Sequence, residues 1–100
     1  MTHTPEDVEV EADAPTRAFV ASRGGRVYVW RGQGGLKRVS TDPPDDRRVL
    51  FDEYESDGIT VFAATDMLRP RTWTVVLRRL PHHHVDVLWD GREPGWTMAG

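Results

Sequence analysis

The segment DAPTRAFVASRGGRVYVWR, residues 13–31, decides between two fold classes. Its opening Asp-Ala-Pro is typical of a helix start, and Gly24 suits the left-handed position that ends a helix. The same residues also alternate in polarity, and the pair Gly24-Gly25 has the length of a tight hairpin turn. From these residues alone, a helix over about residues 14–23 and a hairpin strand are equally supported.

The rest of the chain is typical of short strands separated by turns. β-Branched and aromatic residues make residues 26–31 the clearest strand. An Asp-Gly pair joins a strand at residues 49–55 to one at residues 59–64, and it is the strongest hairpin signal in the chain. Further short strands are predicted at residues 8–10, 36–41, 72–80 and 84–89.

These elements predict a small α+β fold, mainly antiparallel, with six to seven short strands and one short N-terminal helix. An all-β sandwich or barrel is the alternative if the helix is in fact a strand. One hundred residues have room for a single core. We expect one globular domain over residues 8–91, between a flexible N-terminus at residues 1–7 and a C-terminal tail at residues 92–100.

The chain contains no cysteine, which excludes disulfides, thiolate zinc sites and cysteine-ligated clusters. Residues 1–16 hold five acidic and no basic residues, whereas the other 84 hold 13 basic against 11 acidic residues. A net charge of +2 on the body makes nucleic acid an unlikely partner. The weaker nucleic-acid hypothesis rests on four basic residues: Arg26, Arg31, Lys37 and Arg38.

No apolar run approaches the roughly 18 residues that a membrane span requires. The acidic start also lacks the basic and apolar regions of a signal peptide. We therefore expect a soluble, cytoplasmic protein with no membrane contact.

A histidine cluster offers the only candidate metal site. In a strand, alternate residues share a face, so His82, His84 and Asp86 are expected to point the same way. Two imidazoles and one carboxylate are a ligand set for zinc or non-haem iron. The alternative interpretation is a solvated hairpin edge that is rich in histidine.

Four tryptophans are many for this length, and most of them are expected to fill the core. Trp96 lies beyond the last predicted strand and is the candidate anchor for a protein partner or a second copy of the chain. Tyr28 and Trp30 share one face of the clearest strand and are further partner-binding candidates.

No combination of residues indicates catalysis. Glu53 and Glu55 share a strand face but have no partner base, and no Gly-x-Ser-x-Gly elbow is present. The glycine loop at residues 32–35 is neither a Walker loop nor a dinucleotide fingerprint. The sequence thus predicts no catalytic residue and no cofactor, and it disfavours an enzyme.

Read in order, the chain resembles the HesB/IscA-like family, the A-type proteins of iron–sulfur cluster biogenesis. The matching stretches are VEVEADA at residues 8–14, the strand and glycine loop at residues 25–35, and DGITVF at residues 57–62. The ending VLWDG at residues 87–91 is similar to short bacterial relatives. The resemblance covers residues 8–91.

This resemblance implies mixed strands with one packed helix, and so favours the helix over the hairpin. It does not imply cluster binding, because the family places its cysteines in the glycine loop and near the C-terminus, where this chain has none. The leading hypothesis is a non-catalytic interaction or accessory module that binds another protein or itself. A metal-binding protein is the alternative.

Overall fold

The computed structural model describes residues 8–45, 48–56, 58–67 and 70–89 of the chain. These residues form seven strands and one helix, in the order β1 (Glu9–Glu11), α1 (Ala14–Ser22), β2 (Arg26–Arg31), β3 (Lys37–Ser40), β4 (Phe51–Ser56), β5 (Ile59–Ala64), β6 (Thr72–Arg78) and β7 (His84–Trp89). A single 3-10 turn, Gln33–Gly35, separates β2 from β3. The predicted terminus at residues 1–7 and tail at residues 92–100 lie outside the described residues.

Helix α1 begins and ends at the residues whose types predicted it. Asp13 has extended backbone angles, and its Oδ1 accepts a hydrogen bond from the Thr16 N–H at 2.9 Å, which is the geometry of an N-cap. At the other end, Gly24 has φ +102° and Gly25 has φ +79°, values that an L side chain rarely adopts. The helix prediction is confirmed, and the hairpin and all-β alternatives are wrong.

The strands form two mixed sheets rather than a closed barrel. One sheet has three strands in the order β1-β6-β7, and the other has four in the order β3-β2-β5-β4. Three of the five strand pairs are antiparallel, while β1–β6 and β2–β5 are parallel. The antiparallel prediction therefore holds for the hairpins, and the parallel pairs join strands that are distant in sequence.

The core lies between the two sheets and is rich in valine. Val27 and Val29 of β2 are fully buried, and they alternate with Tyr28 on the opposite face. Trp73 of β6, 1% exposed, is the largest side chain in the core, and Val20 joins it from α1. Each such aliphatic side chain contributes about 1.5–3 kcal/mol through burial.

Side chains link the sheets at two places where strands from different sheets meet. At one, Lys37 of β3 donates to the Val87 carbonyl of β7 at 3.3 Å. At the other, Arg17 of α1 donates to the carbonyls of Ala12, just after β1, and Ser56, at the end of β4, at 3.0 and 3.3 Å. We call the first of these contacts the β3–β7 seam.

Candidate interaction surface and histidine pocket

Three aromatic rings pack together on the face of the four-stranded sheet that points away from the core. Tyr28 of β2 stacks on Phe62 of β5, with ring centroids 4.7 Å apart and an interplanar angle of 15°. Phe51 of β4 approaches both rings edge-on, at 5.6 and 6.5 Å. We call Tyr28, Phe51 and Phe62 the outer aromatic cluster.

Strand pairing explains why these rings meet. Tyr28 and Phe62 are Cα partners in the parallel β2–β5 pair, and cross-strand partners place their side chains on the same face. Tyr28 lies between two core valines, and Phe62 lies between the core residues Val61 and Ala63, so the same pleat that buries these neighbours turns the two rings outward. Tyr28 is buried, 8% exposed, beside Phe51 and Phe62, which are themselves half-buried.

Polar residues surround the outer aromatic cluster. Ser40 pairs with Tyr28 on one side, and Glu53 pairs with Phe62 on the other. The neighbouring register positions on this face also carry charged and hydroxyl side chains, and the full set is Arg26, Arg38, Ser40, Glu53, Glu55 and Thr60. An aromatic centre with a polar rim is the composition of a protein–protein interface.

The structure describes two of the three predicted partner-binding residues, Tyr28 and Trp30. Trp30 shares the outward face with Tyr28, is half-buried and pairs with Arg38 across the sheet. Trp96 lies outside the described residues. Sequence reasoning missed Phe51 and Phe62, because only the order of strands in the sheet shows that they flank Tyr28.

The three consecutive histidines lie where the chain turns from β6 into β7. His82 and His83 are exposed in the turn, and His84 is the first residue of β7. His84 Nδ1 is 2.8 Å from the carbonyl oxygen of His82, and the two rings have centroids 5.2 Å apart. His83 instead meets the ring of Phe19 edge-on at 6.4 Å.

Asp86, the third predicted metal ligand, is engaged by cations. Its Oδ1 lies 2.8 Å from Lys37 Nζ, and its Oδ2 lies 3.8 Å from an Arg78 nitrogen. Oδ1 also accepts a hydrogen bond from the Val87 N–H at 2.8 Å. Among the described residues no group of three His, Asp or Glu side chains is placed to hold a metal ion. Metal binding by His82, His84 and Asp86 stays a prediction.

The histidine turn forms one wall of a pocket of about 280 Å³. Phe19 and Arg23, from the C-terminal end of α1, form a second wall, and the Arg23 guanidinium lies 5.1 Å from the centre of the Phe19 ring. The end of β3 and the residue after it form the third. The described residues of the lining are Phe19, Arg23, Val39, Ser40, Thr41, His82, His83, His84 and Val85. We call this the histidine pocket.

The four basic residues of the nucleic-acid hypothesis do not form one surface. Arg26 and Arg38 lie on the outward face of the four-stranded sheet and are exposed. Arg31 instead pairs with Asp66 at 3.1 Å, and Lys37 is directed into the β3–β7 seam. Nucleic-acid binding stays a prediction, and two of the four basic side chains, Arg31 and Lys37, already form ion pairs within the fold.

Comparison with known proteins gives no relative. No protein-family profile matches the chain, and neither do any curated protein or any solved structure. The described part of the chain also has no helix that is long and apolar enough to cross a membrane.

Proposed function

We propose that this protein is a non-catalytic interaction module that binds another protein, or a second copy of itself, through the outward face of its four-stranded sheet. The observation that carries the proposal is the stack of Tyr28 on Phe62 on a face that points away from the core. Aromatic side chains supply much of the binding energy at protein interfaces, because they bury a large area with few rotatable bonds.

The composition of this face supports the proposal. Its centre is aromatic, with Trp30 next to the outer aromatic cluster, and its rim carries two arginines and two glutamates in register. A rim with both signs of charge sets the orientation of a partner without adding much affinity, since the rim stays in contact with water.

We further propose that the chain is a divergent, cysteine-free member of the HesB/IscA-like family. The order of its elements supports this: an opening strand, one packed helix and then strands in mixed sheets, as the resemblance implies. Because cysteine is absent, such a member would keep the fold without binding an iron–sulfur cluster.

The proposal is tested by replacing one ring of the surface. Phe62→Thr removes the ring that stacks on Tyr28 and replaces it with a β-branched residue, which keeps a high propensity for a strand. Val76→Thr is the matched control, because Val76 is a half-buried residue on the outward face of the central strand of the other sheet. Both variants are compared with the natural chain by size-exclusion chromatography with light scattering and by stoichiometric co-purification from the source cells.

We expect the natural chain to form a dimer or a stoichiometric complex, Phe62→Thr to lose it and Val76→Thr to keep it. Circular dichroism establishes that both variants are folded. A natural chain that is monomeric and brings no stoichiometric partner would contradict the proposal. So would a complex that survives Phe62→Thr unchanged.

A further inference from the structure

The histidine pocket is distinct from the outer aromatic cluster, and its lining has a different chemistry. It contains one guanidinium, three imidazoles and the hydroxyl group of Thr41, while none of its described lining residues is acidic. Guanidinium, imidazole N–H and hydroxyl groups all donate hydrogen bonds to an anion. The lining therefore favours a negatively charged ligand.

From this lining we propose that the histidine pocket binds a small tetrahedral oxyanion, such as the phosphate group of a phosphate monoester. The donors come from three separate segments: Arg23 just after α1, Thr41 just after β3, and the histidine turn. Donors from three segments that line one cavity suit a ligand with oxygen atoms on several sides. A volume of about 280 Å³ holds such a group with part of the molecule that carries it.

Phe19 positions two of the donors. Its ring contacts the Arg23 guanidinium at 5.1 Å on its face and the His83 ring at 6.4 Å in an edge-on contact. A cation over the face of an aromatic ring is attracted to it, so this contact restricts the Arg23 side chain. A restricted guanidinium loses less entropy when it binds an anion.

The carboxylates and dipoles near the pocket oppose the ligand only weakly. Asp86 on β7 is neutralised by Lys37 and Arg78, and Asp42, which follows β3, does not line the pocket. The C-terminal end of α1 carries partial negative charge, but the carbonyl of Ala21 accepts a hydrogen bond from Gly24 at 3.2 Å, which offsets part of it.

Inorganic sulfate is the suitable probe, since it is a small tetrahedral oxyanion that remains a dianion near neutral pH. We expect sulfate, compared with chloride at equal ionic strength, to cause saturable amide shifts at Arg23, Thr41 and His83 in ¹H–¹⁵N spectra.

Arg23→Ala should weaken sulfate binding about three- to tenfold, since one charge-assisted hydrogen bond is lost. Arg71→Ala is the matched control, because Arg71 is also exposed but lies just before β6, at the opposite end of that strand from the histidine turn, and it should change the affinity by less than about twofold. His83→Gln removes the imidazole that contacts Phe19 and should also weaken sulfate binding.

The proposal would be overturned by sulfate shifts that do not saturate, by shifts elsewhere in the fold, or by an equal loss in Arg23→Ala and Arg71→Ala. Sulfate affinity that is unchanged in His83→Gln would remove that imidazole from the site. Zinc ions, added in sulfate-free buffer, test the competing ligand. Saturable zinc shifts at His82 and His84, with none from sulfate, would replace the oxyanion site with a metal site. Every one of these results is independent of the outer aromatic cluster.

Discussion

Lys37 Nζ lies 2.8 Å from Asp86 Oδ1, and this ion pair joins two strands that belong to different sheets. The side chains are 17% and 22% exposed, so the pair is screened less than a surface salt bridge. Arg78 approaches the other carboxylate oxygen at 3.8 Å. The carboxylate that the sequence suggests as a metal ligand thus holds the β3–β7 seam together.

We expect Lys37→Met and Asp86→Asn each to lower the free energy of unfolding by about 1–2 kcal/mol, between the values for exposed and buried pairs. Urea denaturation of both single variants and the double variant measures the coupling between the two side chains. The free energy of unfolding of the double variant should fall by less than the sum of the decreases in the two single variants. Strictly additive losses would mean that the pair contributes nothing to the seam.

Thr16 is a buried polar residue that ties α1 to β6. It is 1% exposed, and its Oγ1 accepts a hydrogen bond from the Leu77 N–H at 3.1 Å. Thr16→Val keeps the shape but leaves that N–H without its acceptor, so we expect a loss of about 1–3 kcal/mol in the free energy of unfolding. Thr16→Ser keeps the hydroxyl and loses one methyl group, at about 1 kcal/mol. Chemical denaturation should show that Thr16→Val is less stable than Thr16→Ser. The reverse order would contradict the role of the Thr16 hydroxyl as acceptor for the Leu77 N–H.

Gly24 and Gly25 offer a matched pair of substitutions. Both have positive φ, so alanine is strained at either position, at about 1–2 kcal/mol. A Cβ at Gly25 would also lie 3.0 Å from the carbonyl oxygen of Gly58, whereas a Cβ at Gly24 meets nothing within 4 Å. We therefore expect Gly25→Ala to lower the melting temperature further than Gly24→Ala. Equal losses would show that the contact with Gly58 is relieved without cost.

Asp13 makes the stability of α1 depend on pH. The hydrogen bonds from the Thr16 side chain and backbone N–H lower the pKa of Asp13 below its ordinary 3.8, and Arg79 lowers it further. The pKa of Asp13 is lower in the folded chain than in the unfolded chain, so its carboxylate makes its full contribution to the free energy of unfolding well above pH 3.8. It falls as the pH drops through the folded value.

Asp13→Asn keeps an N-cap but removes the titration. The unfolding free energy of the natural chain, relative to this variant, should therefore decline below about pH 4 and level off at lower pH. The carboxyl carbon of Asp13, followed by NMR, should titrate below 3.8. A titration at or above that value would contradict the role of the Thr16 hydrogen bonds.

Local sequence signals predicted the elements well. The strands Arg26–Arg31, Ile59–Ala64 and His84–Trp89 have the predicted bounds, because alternation and flanking turns are encoded in adjacent residues. The predicted strand at residues 72–80 ends two residues earlier, at Arg78, before the turn at Pro81.

Pairing between distant strands was not predictable in the same way. Tyr28 and Phe62 are 34 positions apart and meet only because β5 pairs with β2 in parallel. Asp86 and Lys37 are 49 positions apart, and no local pattern indicates that one neutralises the other. The sequence therefore identified part of each candidate site, Tyr28 with Trp30 and His82 with His84, but not the partners that complete the geometry.

The β3–β7 seam also occupies hydrogen-bonding groups that an edge strand would otherwise expose. The N–H of Val87 donates to Asp86 and its carbonyl accepts from Lys37, so both backbone groups of this residue are bonded to side chains. A bare strand edge is a template on which another chain can add a strand. Replacing both Lys37 and Asp86 with apolar residues should thus leave these backbone groups open to another chain, and we expect the double variant to aggregate through β7.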